Sequence, residues 1–406
     1  MRRRVKITGI GPVTPAGIGR EAFFRGINEA VSRVRSITRF DPEAGQFMGA
    51  EVGGFDLKEF APEENPRRLS RHTQLGLVAA ILAIRDAGLT IDEISKLNPA
   101  VVTGTSIMDI DRISRGVQVV AQKSPRYSMA STIYESSVVS VPGKISSHLG
   151  IPARMIAVQT SCCSGLDAIG QAFDLVSEGQ CDLAIAGGSE APLSFHPLLE
   201  FNAAELSPTN ADEIPRSCRP FDLWRSTGVL GEGAAMLILE PEDSPRPAYA
   251  WITGYGYASD GNKLAAEGIA DAARIALANA SRRAEEVDYI CAWGPGHRAI
   301  DANESTALLQ IFGERLTNIP VSSIKGAIGT ALAAAGAIEV LSAALSMRHG
   351  QVPPTVNWET PDPQCPLNLN AQARFLSPNL AIVNAHGLSG SNAVAGWPSK
   401  RSVRLR

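Results

Sequence analysis

The segment RMIAVQTSCCSGLDAIGQAFDLVSEGQ carries the residues best suited to covalent chemistry. A β-branched run leads into Thr160-Ser161-Cys162-Cys163-Ser164-Gly165, and a helical pattern follows to about Ser177. A cysteine on such a strand-to-helix turn sits over unpaired helix N–H groups, whose partial positive charge is expected to favour thiolate and lower the thiol pKa by a unit or more. Ser161, Ser164 and Gly165 are small enough to let a carbonyl approach the backbone, where N–H groups can hold an oxyanion. The chemistry implied is acyl transfer through a cysteine. Buried cysteines are also common and inert, and the pair leaves open which sulfur reacts, since Cys163 can simply face the core.

The remaining cysteines, at 181, 218, 291 and 365, show no CxxC spacing, so no metal site is expected. Adjacent Cys162 and Cys163 are poorly placed to bridge each other. The opening MRRRVKITGIG is too short for a signal or membrane helix, so reduced thiols and a cytoplasmic location are expected, with no membrane span. A net charge of −3, with 44% hydrophobic and 19% charged residues, fits a globular chain without bulk attraction to nucleic acid or membrane. One basic cluster stands out, Arg67, Arg68 and Arg71 in PRRLSRHTQ, whose plainest reading is a solvated helix start.

The elements that position the turn alternate between strand and helix, which predicts an α/β sheet with helices packed on it. VKITGIGPV, AVVTGTS, RMIAVQTS, DLAIAGGSE and AAMLILE read as strands, and TQLGLVAAILAIRDAGL as a helix with a C-capping glycine. PEDSPRPAY, with three prolines, reads as a linker. The cycle then restarts: AWITGYGYASD and DYICAWG are strand-like, EGIADAARIALANA and AAAGAIEVLSAALSMRHG helical, and NLAIVNAHG with NAVAGW a closing strand pair. Two halves are expected, residues 1–240 carrying the cysteine turn and 241–406. Periodicity alone supports α/β and no more.

With these motifs in order, the chain resembles the β-ketoacyl-acyl carrier protein synthases, the condensing enzymes of fatty acid and polyketide synthesis. TSCCSGLDAIG resembles the family's nucleophile motif T-A-C-x-S-G, which puts the nucleophile at Cys162. DLAIAGGSEA, FNAAELSPTN, RPFDLWRSTGVLGEGAAMLILE and AAAGAIE match further blocks in register over nearly the whole chain. The resemblance implies a thiolase-like α-β-α-β-α layered fold with two pseudo-symmetric halves. It also implies a dimer, and an acyl carrier protein whose phosphopantetheine delivers the acyl group, with no other cofactor. The cluster at Arg67, Arg68 and Arg71 lies where such synthases often dock that acidic carrier.

The pattern departs from the family at the acceptor side. Condensing members hold the malonyl thioester with two histidines; here Trp293 stands in the strand-end motif and Thr330 in K-x-x-x-G-H. An indole cannot accept a proton and fills space, and a threonine hydroxyl is neither basic nor charged. Loss of one oxyanion donor costs about 3–4 kcal/mol of barrier, so losing two should weigh heavily against decarboxylative condensation. Lys325 and Glu339 match the family's charged pair, and Asp301 and Glu304 also remain, as site support or as structural ion-pair members. In Asn384-Ala385-His386-Gly387-Leu388-Ser389-Gly390-Ser391-Asn392, Leu388 replaces a gating phenylalanine whose backbone N–H holds the oxyanion. His386 replaces another phenylalanine on a loop expected beside the nucleophile, where it can act as general acid or base or merely fill an aromatic slot. His297 is expected on a mobile loop; His72, His148, His196 and His349 match no catalytic motif.

Three functions follow. The first is an acyltransferase that loads Cys162 and passes the acyl group on without condensation. The second is condensation with His386 or His297 substituting for the missing pair. The third is a non-catalytic partner of an active synthase, like a chain-length factor, in a heterodimer rather than a homodimer; the retained cysteine argues against it.

Overall fold

The computed structural model describes residues 2–37, 47–209, 212–261 and 265–398. Asn210, which ends the FNAAELSPTN block, and residues 399–406 of the expected second half lie outside them.

The apolar runs do form strands, in two sheets. The first has the order Gly17–Ile18, Val5–Thr14, Gly233–Pro241, Leu183–Glu190, Pro99–Gly104, Arg154–Val158, and Trp251–Ile252 pairs with Val5–Thr14 as a seventh member. Pro99–Gly104 runs parallel to both its neighbours, while Val5–Thr14 and Leu183–Glu190 are antiparallel to Gly233–Pro241. The second sheet has the order Gly254–Ser259, Ser391–Pro398, Leu380–His386, Tyr289–Cys291, Val321–Ser322. The expected closing pair is present: Leu380–His386 and Ser391–Pro398 are antiparallel, with His386 opposite Asn392. The expected strand AWITGYGYASD is split: its first residues join the first sheet and Gly254–Ser259 edges the second.

Between the sheets lie two helices, Ser164–Ser177 and Ala335–His349, which touch each other and both sheets. Every residue from Ala335 to Ser346 is buried. A helix walled in on all sides needs no polar stripe, so its small apolar residues run all the way round. Close approach is set by glycine: a Cβ on Gly165 would lie 2.4 Å from the Ala333 carbonyl oxygen. Arg71–Asp86 covers the outer face of the first sheet and Ala265–Asn279 that of the second, with Arg298–Phe312 packed beside it. The result is the layered α-β-α-β-α body expected of the sequence. The cysteine turn opens the first inner helix, where both sheets converge.

Candidate active site

The strand Arg154–Val158 ends just before the nucleophile turn, and Ser161 adopts φ 59°, the left-handed region that a serine seldom occupies. Local hydrogen bonds hold it there. The Ser161 carbonyl accepts from the Ser164 N–H at 3.1 Å and the Ser164 hydroxyl at 2.5 Å, and the Thr160 N–H donates to that hydroxyl at 2.9 Å. Strain of this kind in a non-glycine residue tends to mark functional turns. It swings the two sulfurs apart. Cys163 is fully buried, its sulfur 3.3 Å from the carbonyl oxygens of Ala385 and Ser391, and it faces the core. Cys162, 6% exposed, lines a cavity of about 240 Å³ and faces the backbone N–H of Leu388.

Leu388 is brought to the turn by its neighbour. A Cβ on Gly387 would lie 3.0 Å from the Ser161 Cβ and 2.2 Å from the Ser391 hydroxyl, so only glycine lets the closing hairpin lie this close. The Leu388 side chain is largely exposed and borders the cavity.

The thiol corrects the expectation drawn from the helix terminus. Burial pushes Cys162 up to about 11, outweighing the hydrogen bonds from Ser161 and the Leu388 amide and the attraction of Lys325. The helix terminus lowers a thiol pKa where the thiolate is also well solvated or paired with a cation; here burial weakens that solvation, and the nearby Glu190 carboxyl opposes ionisation further.

Across the cavity stand Trp293, Thr330, His297 and His386. Trp293 is 3% exposed, and its position is fixed from both sides. Its N–H and that of Gly294 each donate to Glu304 at 2.8 Å, while the Lys325 ammonium donates to its carbonyl at 2.5 Å and lies 3.9 Å from its ring centre. Lys325 also pairs with Glu339, both buried, so the expected charged pair is formed. Its charge is committed to Glu339 and the indole. Burial would push Glu304 up, but His386, the Gly294 N–H and the Asn384 amide together hold it below the usual carboxylate range. Asp301 accepts from the N–H groups of Phe221 and Gly296 and lies 3.6 Å from Arg225, which makes it a brace for the 293–296 loop.

Thr330 is buried beside the cavity, its own N–H donating to the Val229 carbonyl at 2.7 Å. His297 ends the loop 292–297 and caps the helix Arg298–Phe312, with Nδ1 accepting from the Ile300 N–H at 3.4 Å. Burial, then the Arg225 guanidinium, hold it below the ordinary imidazole range. His386 is not on a loop; it is the last residue of its strand, its ring edge-on to Trp293 at 6.1 Å. The other four histidines lie elsewhere: His72 contacts Ser140, His148 Glu64, His196 Asp111, and His349 stacks on Phe24.

Sequence reasoning passed over Asn392, Asp260 and Asn303, which also line the cavity. Asn392 was visible as the end of the closing motif, but its partner Asp260 is 132 residues away in sequence.

Comparison with known proteins now decides the family. The model of the beta-ketoacyl synthase N-terminal domain matches residues 2–244, and that of the C-terminal domain residues 249–359. The chain belongs to the beta-ketoacyl synthase family. It is 33% identical over 405 residues to the 3-oxoacyl-[acyl-carrier-protein] synthase 2 of Staphylococcus aureus (strain COL), covering 97% of each chain. Among solved structures it is similar to the ishigamide ketosynthase/chain length factor, with a TM-score of 0.90, 29% identity and coverage of 98% and 100%. A type II polyketide acyl carrier protein in complex with its hexaketide-bound ketosynthase gives a TM-score of 0.90 at 28% identity, with coverage of 98% and 100%. The layered body is therefore the thiolase-like fold of this family. Among the described residues no helix is long and apolar enough to cross a membrane, and no cluster of three or more histidine, cysteine or carboxylate side chains is placed to hold a metal ion.

Proposed function

We propose that this ketosynthase-family chain is an acyltransferase that takes an acyl group from an acyl carrier protein thioester onto Cys162 and passes it on without decarboxylative condensation, in fatty acid or polyketide-type biosynthesis. The observation that carries this reading is the juxtaposition of the Cys162 sulfur, the Leu388 N–H and a cavity reaching both. Loading needs only those parts: the Cys162 sulfur attacks the thioester carbonyl as its proton leaves, the Leu388 amide receives the oxyanion, and the phosphopantetheine sulfur departs and takes up that proton. Condensation needs donors for a malonyl carbonyl. By the motif resemblance those positions hold Trp293, wedged between Lys325 and Glu304, and Thr330. His297 is engaged as a helix cap, which leaves His386 as the histidine best placed to act on an acceptor.

The carrier is placed at Arg67 and Arg68, which are exposed on the turn Pro66–Arg68. Arg71 is withdrawn from that surface, bonded to Glu232 at 2.8 Å and stacked on Phe55. We place a second ketosynthase-fold subunit at the open edge of strand Arg154–Val158, where Met155 is exposed.

A specific observation favours a second reading. A thiol pushed up to about 11 is almost wholly protonated near neutrality, which suits a silent, chain-length-factor-like partner. Intact-mass spectrometry after incubation with acyl-carrier thioesters separates the two. We expect the acyl mass on the wild type and none on Cys162→Ala. An unmodified wild type, or an adduct that survives the substitution, sinks the acyl-carrying role and leaves the silent partner.

A further inference from the structure

Two polar atoms beside Cys162 have no hydrogen-bond partner among the described residues: Nε2 of His386 and Oγ1 of Thr330. Their residues are 9% and 6% exposed, and both line the cavity. Buried polar groups are seldom left unpaired, and two on residues lining one cavity point to a partner that comes from it.

The orientation of His386 is fixed from behind. Asn392 Nδ2 donates to Asp260 Oδ1 at 2.7 Å and to the Gly390 carbonyl at 3.3 Å, which turns Asn392 Oδ1 toward His386 Nδ1, 3.1 Å away. An amide oxygen only accepts, so Nδ1 carries a proton, and whenever the ring is neutral its lone pair is at Nε2. Glu304 Oε1 lies 3.8 Å from Nε2, beyond hydrogen-bonding distance. Thr330 supplies the complement, a hydroxyl able to donate. One acceptor and one donor fit a group that is itself one donor and one acceptor, which is a hydroxyl. Among the described residues the lining holds the Asp260 carboxylate and no lysine or arginine.

We propose that the acyl group on Cys162 is discharged to a neutral hydroxyl, water or an alcohol, with His386 as its general base, Thr330 as its hydrogen-bond donor and Asn392 as a positioning residue held by Asp260. This rests on the acyl-carrying role of Cys162 and names its acceptor. The hydroxyl oxygen bonds to the acyl carbon as its proton passes to His386 Nε2, and the carbonyl electrons move onto the oxygen facing the Leu388 N–H. Collapse re-forms the carbonyl and breaks the C–S bond, whose electron pair returns to sulfur. The imidazolium then protonates the thiolate, and the product is a carboxylic acid from water or an ester from an alcohol. No oxidant or metal enters the balance.

The test uses the full chain loaded with an acyl-N-acetylcysteamine thioester, freed of donor, and followed by intact mass in buffer with and without ethanol or ethylene glycol. Acid and ester are separated by liquid chromatography–mass spectrometry, and the two arms tell water from alcohol. His386→Gln should lower the ratio of discharge to loading about a hundredfold, the scale of one general base. His386→Gly should be similarly slow and should recover with added imidazole. Thr330→Val should slow discharge about tenfold, and Thr330→Ser should recover most of that loss. Asn392→Ala should cost about tenfold alone and little more on top of His386→Gly, because both act through one nitrogen. An acyl-enzyme that discharges equally fast in His386→Gln, or Thr330→Val and Thr330→Ser that behave alike, overturns the hydroxyl acceptor and leaves the loading role intact. So does an acyl-enzyme stable to water and both alcohols. A wild type that never loads removes the loading role, and this inference with it.

Discussion

The two walls of the cavity are built to different standards of generality. On one wall the nucleophile turn, residues 160–165, is made from contiguous residues tied by their own hydrogen bonds, with a strained Ser161 between Thr160 and Cys162. On the other wall Trp293, Thr330 and His386 arrive on three separate segments and are held by partners on other elements: Glu304, Lys325, Val229 and Asn392. The first wall provides what any thioester-accepting member of the family needs. On the proposed reading the second decides what receives the acyl group, and it is where the sequence motifs differ from those the resemblance implies. On the reading proposed above, acyl loading and acyl discharge are separable, and the second can be rewritten without disturbing the first.

The harshest way to break that separation is to rebuild the second wall. In Trp293→His combined with Thr330→His, the indole is removed and two imidazole donors are placed where the family's motifs have them. If the walls are independent, this variant should release carbon dioxide from malonyl-carrier at least about a hundredfold faster than the wild type, since a single oxyanion donor is worth about 10²–10³ in rate. Removal of the buried indole should also cost about 1–3 kcal/mol of stability, read by urea denaturation. A variant that loads normally but releases no carbon dioxide would show that the difference reaches beyond these two positions.

Contiguity also explains what was legible in the sequence. The cysteine turn, the helices Arg71–Asp86 and Ala335–His349 and the closing hairpin are local patterns, and each appears where the residues put it. The pKa of Cys162 was not legible, because its burial comes from packing by segments far along the chain, among them Trp293 and Leu388. The tether on His386 was invisible for the same reason: Asp260, Asn392 and Glu304 meet only in the folded chain. His297 was expected on a loop, and it ends that loop; its role as cap of the following helix was not legible.

The first wall makes its own demand. A thiol with a pKa of about 11 has a thiolate fraction that grows tenfold with each pH unit below that value. Alkylation of Cys162 by iodoacetamide, followed by peptide mass spectrometry, should therefore quicken about a hundredfold between pH 7 and 9. A thiol governed by the helix terminus, with its pKa brought near neutrality, would already be ionised across much of that range and would give a much flatter profile. A flat profile would also remove the ground for a silent subunit and strengthen the loading role.

The smallest expected effect concerns how the acyl group reaches the first wall. Arg67 and Arg68 are exposed on a short turn, whereas Arg71 is occupied by Glu232 and Phe55, so only the first two are available to an acidic carrier. Exposed charges steer encounter more than they hold a complex, and salt screens them. Arg67→Glu with Arg68→Glu should slow loading from an acyl carrier protein roughly three- to tenfold at low ionic strength, with the deficit shrinking as salt is added. Loading from an acyl-N-acetylcysteamine thioester should not change, because that donor carries no acidic surface. The discharge rate of the preloaded enzyme should not change either, because the second wall takes no part in docking. Equal slowing with both donors would place the defect in the fold around the turn, and no slowing with the carrier would move its docking site elsewhere on the surface.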